Sequence, residues 1–91
     1  MITAFVLIKA AADSIPETAQ AIADIDGVRE VYSCAGDIDL IALVGIERHE
    51  DLAALVPGAI SKVPGVLDTA THIAFRSFSR RDTDAAFAIG D

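Results

Sequence analysis

Apolar and polar positions along the chain alternate between strand-like and helix-like spacing. Residues 3–9, TAFVLIK, form an almost unbroken apolar run of strand length, the pattern of a central strand covered on both faces. Residues 28–45, VREVYSCAGDIDLIALVG, contain two more strand-like runs. They join at Gly36 and Asp37, where the backbone freedom of the pair predicts a tight reversal and a β-hairpin. Residues 66–75, VLDTATHIAF, read as a fourth strand with Thr69, Thr71, Ile73 and Phe75 along one face. Between the strands the spacing becomes helical. Ile15, Ala19, Ile22 and Ala23 share one helical face, and Leu52, Leu55, Val56, Ala59 and Val63 make a second stripe.

Start and stop signals agree with these spacings. Ser14 is placed as an N-cap with Glu17 as the returning partner of a capping box, and Pro16 falls in the first turn, where its missing N–H costs little. The first helix is expected to end near Asp26 and Gly27. The second is expected over residues 47–62, with a kink or restart at Pro57 and Gly58. An internal repeat ties the halves together: IADIDGVREV from Ile22 aligns without gaps with ISKVPGVLDT from Ile60, an offset of 38 residues, with Gly-Val at each helix-to-strand junction. The element order is therefore βαββαβ. The fold class is α+β, ferredoxin-like, with a four-stranded antiparallel sheet of order 4-1-3-2 and both helices on one face. The first and third strands scarcely alternate, so the opposite face is apolar and needs a second subunit or a ligand to cover it. Residues 1–77 are expected to form this domain and residues 78–91 a C-terminal tail docked on the domain or on a neighbouring subunit.

Composition sharpens the need for association. A chain of 91 residues, 53% apolar and with one cysteine, has only a modest core and no intrachain disulfide to reinforce it. A single cysteine is compatible with a reducing compartment, and the short apolar N-terminus lacks the basic flank of a targeting signal, so the cytoplasm is the expected location. That apolar run also falls far below the roughly 20 residues a membrane span requires. The formal charge of −7 disfavours direct binding to nucleic acid or anionic lipid, because such binding rests on neutralising phosphates. Arg80 and Arg81 are followed at once by Asp82 and Asp84.

From Thr3 to about Phe75 the sequence resembles the effector-binding and oligomerisation domain of the Lrp/AsnC transcriptional regulators, in its free-standing form. The matching features are the apolar first strand, Gly27-Val28 and Gly65-Val66 after the helices, the Gly-x-x-Asp-Leu turn from Gly36 to Leu40, and Thr69-x-Thr71. The resemblance implies dimers whose sheets face one another, assembly into octamers or decamers, and an amino acid or related small molecule bound between dimers near the turn joining strands two and three. Family members with DNA-binding activity carry a helix-turn-helix domain ahead of this one. A chain starting on the first strand is expected to sense and assemble without reading an operator itself, and to join DNA-binding members in mixed assemblies. The ligand-binding residues carried over are Gly36, Asp37, Ile38, Asp39, Thr69 and Thr71.

The chemistry of those residues suits an amino acid. A carboxylate such as Asp39 pairs with an ammonium, while backbone N–H groups of the turn and threonine hydroxyls donate to a carboxylate. Each also has a structural reading: Asp39 as a local cap of the hairpin, Gly36 as a purely conformational residue, the threonines as β-formers. No metal or other cofactor is expected: His49 and His72 lie 23 residues apart, without the ligand spacing of a zinc site. Cys34 reads as a buried inert thiol. Tyr32 either lines a pocket or fills a dimer core. Without a phosphate loop or nucleophile motif, a non-enzymatic sensor is favoured. The alternatives are a purely structural oligomer and a small enzyme of the dimeric ferredoxin-like barrel type.

Overall fold

The computed structural model describes residues 1–80. The chain runs β1 (Ile2–Ala10), α1 (Ile15–Ala23), β2 (Val28–Ser33), β3 (Leu40–Ile46), α2 (His49–Leu55) and β4 (Val66–Ile73), with 3-10 turns at Ala12–Ser14 and Ile60–Lys62. The strands form one antiparallel sheet of order β2-β3-β1-β4, which is the expected 4-1-3-2 sheet read from its other edge. Register is fixed by burial. Ala4, Val6 and Ile8 of β1 pair with Val44, Ala42 and Leu40 of β3, and these, together with Ala10 and Ile46 at the strand ends, are buried beneath the helical layer. A slip of one residue would expose the whole set. Ile22 of α1, Leu55 of α2, and Val56 and Ile60 beyond it complete this core.

The intervening positions point the other way. Phe5 and Leu7 of β1, Ile41 and Leu43 of β3, Tyr32 of β2, and Ala70 and His72 of β4 share the face without helices. Phe5 and Tyr32 remain 41% and 52% exposed there. The apolar open face inferred from β1 and β3 is thus present. It is flanked by Lys9, Asp68 and Glu30.

The repeat is equally visible. Gly27 and Gly65, 38 positions apart, enter β2 and β4 with φ of 98° and 97°. The left-handed backbone is needed to turn the chain from the helical layer into the sheet at both junctions.

Several local expectations need correction. The hairpin does not reverse tightly at Gly36 and Asp37: β2 ends at Ser33 and β3 begins at Leu40, leaving a six-residue connection, 34–39. The Ser14–Glu17 capping box does not form. Ser14 makes no side-chain cap bond, and its Oγ lies 3.5 Å from Thr18 Oγ1 instead. Thr18 is itself buried and donates to Pro64 O at 3.1 Å, so the hydroxyls are drawn toward the second helix-to-strand junction. α1 stops at Ala23, which is exposed rather than in the core. The restart expected at Pro57 and Gly58 is present, with α2 ending at Leu55 and a 3-10 turn resuming at Ile60, but α2 begins at His49 and not at residue 47. β4 ends at Ile73, so Phe75 leaves the sheet and is fully exposed. Most of the tail expected over 78–91 falls outside the described residues.

Candidate functional site

The connection between β2 and β3 is held to the sheet by one residue. Asp39 O accepts from the Cys34 N–H at 2.9 Å, closing residues 35–38 into a loop, and the Asp39 N–H donates to Ile8 O at 2.9 Å. The last β1–β3 pair is Ile8 with Leu40. The Ala10 amide beyond it therefore lacks a ladder partner on that side, and Asp39 Oδ2 supplies one at 2.9 Å. Asp39 is thus a cap, as its structural reading required, but of β1 across 29 residues rather than of its own hairpin. Oδ1 makes no hydrogen bond among the described residues.

The rest of the loop stands away from the sheet. Gly36 and Asp37 are exposed, and Ile38 and Asp39 are half-buried. Gly36 has φ of 125°, and a Cβ added there would meet nothing within 4 Å, so glycine is required by backbone angle and not by crowding. Thr69 and Thr71 share a face as expected, but it is the helix-side face of the edge strand β4, opposite Ile8 and Val6. Thr69 is half-buried and Thr71 exposed, because the helices do not extend over the full length of β4. Loop and threonines lie toward the same end of the sheet but are separated by β1, about 10 Å from strand to strand. A single chain does not bring them into contact.

Clefts of about 410, 400 and 430 Å³ lie elsewhere: beside Phe5, Phe75 and Arg76, beside Asp26 and Leu55, and beside Ser14 and Val63. Cys34 is half-buried at the loop entrance with Sγ 3.7 Å from Tyr32 O, not in the core. The alternation of the sequence located the threonine face, but nothing in it pointed to Ala10 as the partner of Asp39. Lys9 and Asp68, a cross-strand pair at the same end of the open face, were not singled out either.

The class the structure defines is a small ferredoxin-like domain with one bare apolar sheet face and a Gly-x-x-Asp loop pinned at the end of its sheet. The chain belongs to the Lrp/AsnC ligand-binding domain family, whose model matches residues 3–84. It is 37% identical over 76 residues to an uncharacterised HTH-type transcriptional regulator, PH1916, of Pyrococcus horikoshii, covering 80% of this chain and 51% of that protein. The chain thus spans about half the length of the regulators it matches. Among solved structures, TTHA0845 of Thermus thermophilus superposes with a TM-score of 0.82 at 42% identity, covering 88% of this chain and all of the other. The transcriptional regulator NMB0573 of Neisseria meningitidis, solved in complex with L-Met, shares the fold with a TM-score of 0.77 at 15% identity, over 87% of this chain and 53% of its own. No helix among the described residues is long and apolar enough to cross a membrane.

Proposed function

We propose that this chain is a non-enzymatic sensor module that binds an amino acid at the loop end of its sheet and modulates transcription through the assemblies it forms. The observation that carries this reading is the loop 34–39, pinned by Asp39 yet projecting exposed backbone and a carboxylate oxygen at the end of the sheet where β4 also carries Thr69 and Thr71, one strand away. The family's regulators and the L-Met complex of a fold relative favour an amino acid over other small molecules. Asp39 Oδ1 takes the ligand ammonium, and the amides of residues 36–38 with a threonine hydroxyl take its carboxylate. The gap of about 10 Å within one chain means that loop and threonines of different subunits complete the site.

Assembly follows from the open face. Two copies cover Phe5, Leu7, Ile41 and Leu43 sheet to sheet, and dimers gather into octamers or decamers, alone or mixed with DNA-binding family members. Ligand at the seam and subunit association then strengthen each other by linkage. With a formal charge of −7, the domain acts on DNA-bound regulators and not on DNA itself.

A thermal-shift panel of the twenty amino acids tests the reading, followed by calorimetry on any selective, saturable hit. Thr71→Val keeps the β-branched shape and removes the hydroxyl. It should weaken that ligand about tenfold, the value of a hydrogen bond to a charged group. Identical affinities for wild type and variant would remove Thr71 from the site, and a flat panel would favour the second reading. That reading is a ligand-free assembly module, favoured by the absence of the 34–39 loop from the three clefts described.

A further inference from the structure

Three charged side chains cross the loop end of the sheet in the order Asp39, Lys9, Asp68, one from each of the neighbouring chain segments at β3, β1 and β4. Asp39 Oδ2 accepts from the Ala10 N–H at 2.9 Å, which holds that carboxylate one peptide unit from Lys9. On the other side, Asp68 stands directly opposite Lys9 in the β1–β4 ladder, a cross-strand neighbour. Lys9 follows Phe5 and Leu7 along the open face, one alternation beyond its last apolar position on β1, and is exposed.

These charges do not neutralise one another. Among the described residues Lys9 forms no ion pair or hydrogen bond, Asp39 Oδ1 has no partner, and Asp68 uses only Oδ1, which accepts from the Thr69 N–H at 2.9 Å. An exposed pair would contribute only about 0–1 kcal/mol, so the row stays open at small cost to the fold. It presents negative, positive and negative groups in sequence, and its complement is a ligand with positive, negative and positive groups.

We propose that Lys9 anchors the ligand carboxylate and that Asp68 selects a basic amino acid, the lysine or arginine type, by holding its side-chain cation. The inference rests on the amino-acid site proposed above, in which Asp39 Oδ1 takes the ammonium, and it names the ligand class. The α-carboxylate is carried on the same carbon as that ammonium and so meets the next strand, where Lys9 adds a full charge to the turn amides. A neutral side chain leaves Asp68 unanswered, and an acidic one sets a second carboxylate against it. A basic side chain crosses one more strand spacing, about 5 Å, on a flexible stem of four carbons. The formal charge of −7 also draws a cationic ligand toward the domain.

Calorimetry with L-lysine, L-norleucine and L-glutamate tests it, because norleucine is lysine without the terminal amine. Lysine should bind wild type about tenfold or more tighter than norleucine, the value of a hydrogen bond between charged groups, and glutamate should bind weakest. Asp68→Asn keeps an amide oxygen for the Thr69 N–H and removes the charge. It should erase the lysine preference and leave norleucine affinity unchanged, which a merely structural Asp68 would not do. Lys9→Met should weaken both ligands about tenfold, since they share the carboxylate. Equal affinities of wild type for lysine and norleucine, a lysine preference that survives Asp68→Asn, or undiminished binding by Lys9→Met overturns the inference and leaves the amino-acid reading standing. Absence of binding by any of the twenty amino acids removes both.

Discussion

Asp39 is a structural carboxylate as well as the proposed ligand contact. Its Oδ2 holds the Ala10 amide at 2.9 Å, and its backbone holds Ile8 and Cys34. Removing the side chain therefore has two effects that a binding assay alone would confuse. Asp39→Ala leaves a part-buried N–H without its acceptor and should lower unfolding stability by about 1–3 kcal/mol, read from urea denaturation. Asp39→Asn retains an amide oxygen for Ala10 and loses the charge. It should unfold within about 1 kcal/mol of wild type while losing affinity for the amino acid's ammonium, measured by calorimetry. Asn and Ala variants of equal stability would show that the Ala10 bond contributes nothing. An Asn variant that binds normally would place the ammonium elsewhere.

At the scale of elements, the two helix-to-strand junctions offer a comparison within one molecule. Gly27 and Gly65 have nearly the same positive φ, 98° and 97°, so alanine is strained at both by about 1–3 kcal/mol. Their surroundings differ. A Cβ at Gly27 would come 3.3 Å from Leu55 Cδ2, the end of a side chain that can turn aside. At Gly65 it would run into Thr18 Oγ1, buried and held by Pro64 O, and lie 3.0 Å from Ser14 Oγ. Gly65→Ala should therefore be the more destabilising substitution, by about 1 kcal/mol or more in paired thermal melts. Equal costs would mean that backbone strain alone decides.

The same junction explains what could be read from the sequence. Gly-Val after each helix was legible because the requirement for φ above zero is local. The Ser14 cap was not, because Thr18, fixed by a contact 46 residues away, draws the serine hydroxyl from its expected partner. The candidate site divides in the same manner. The Gly-x-x-Asp loop and the shared face of Thr69 and Thr71 follow from spacing, and the interposed β1 follows from the expected sheet order, whereas the Asp39 bond to Ala10 appears only with the strand pairing.

For the whole molecule, the decisive feature is a sheet buried on one side only. The helical layer covers Val6, Ile8, Leu40 and Val44, while Leu43 and Phe5 face outward with Tyr32 beside them. In the proposed sheet-to-sheet dimer a second copy supplies part of the stability of this 91-residue chain, and by mass action that part depends on concentration. The wild-type Tm should therefore climb as protein concentration is raised. Leu43→Asp places a charge on the open face without touching the buried set. It should sediment as a folded monomer, with unchanged far-UV circular dichroism and a lower Tm that no longer varies with concentration. Ala42→Asp, one residue earlier and fully buried, should fail to fold. If both variants unfold, the two faces are not independent. If Leu43→Asp remains a dimer with wild-type Tm, the open face is not where the copies meet, and ligand binding would have to couple to assembly through another surface.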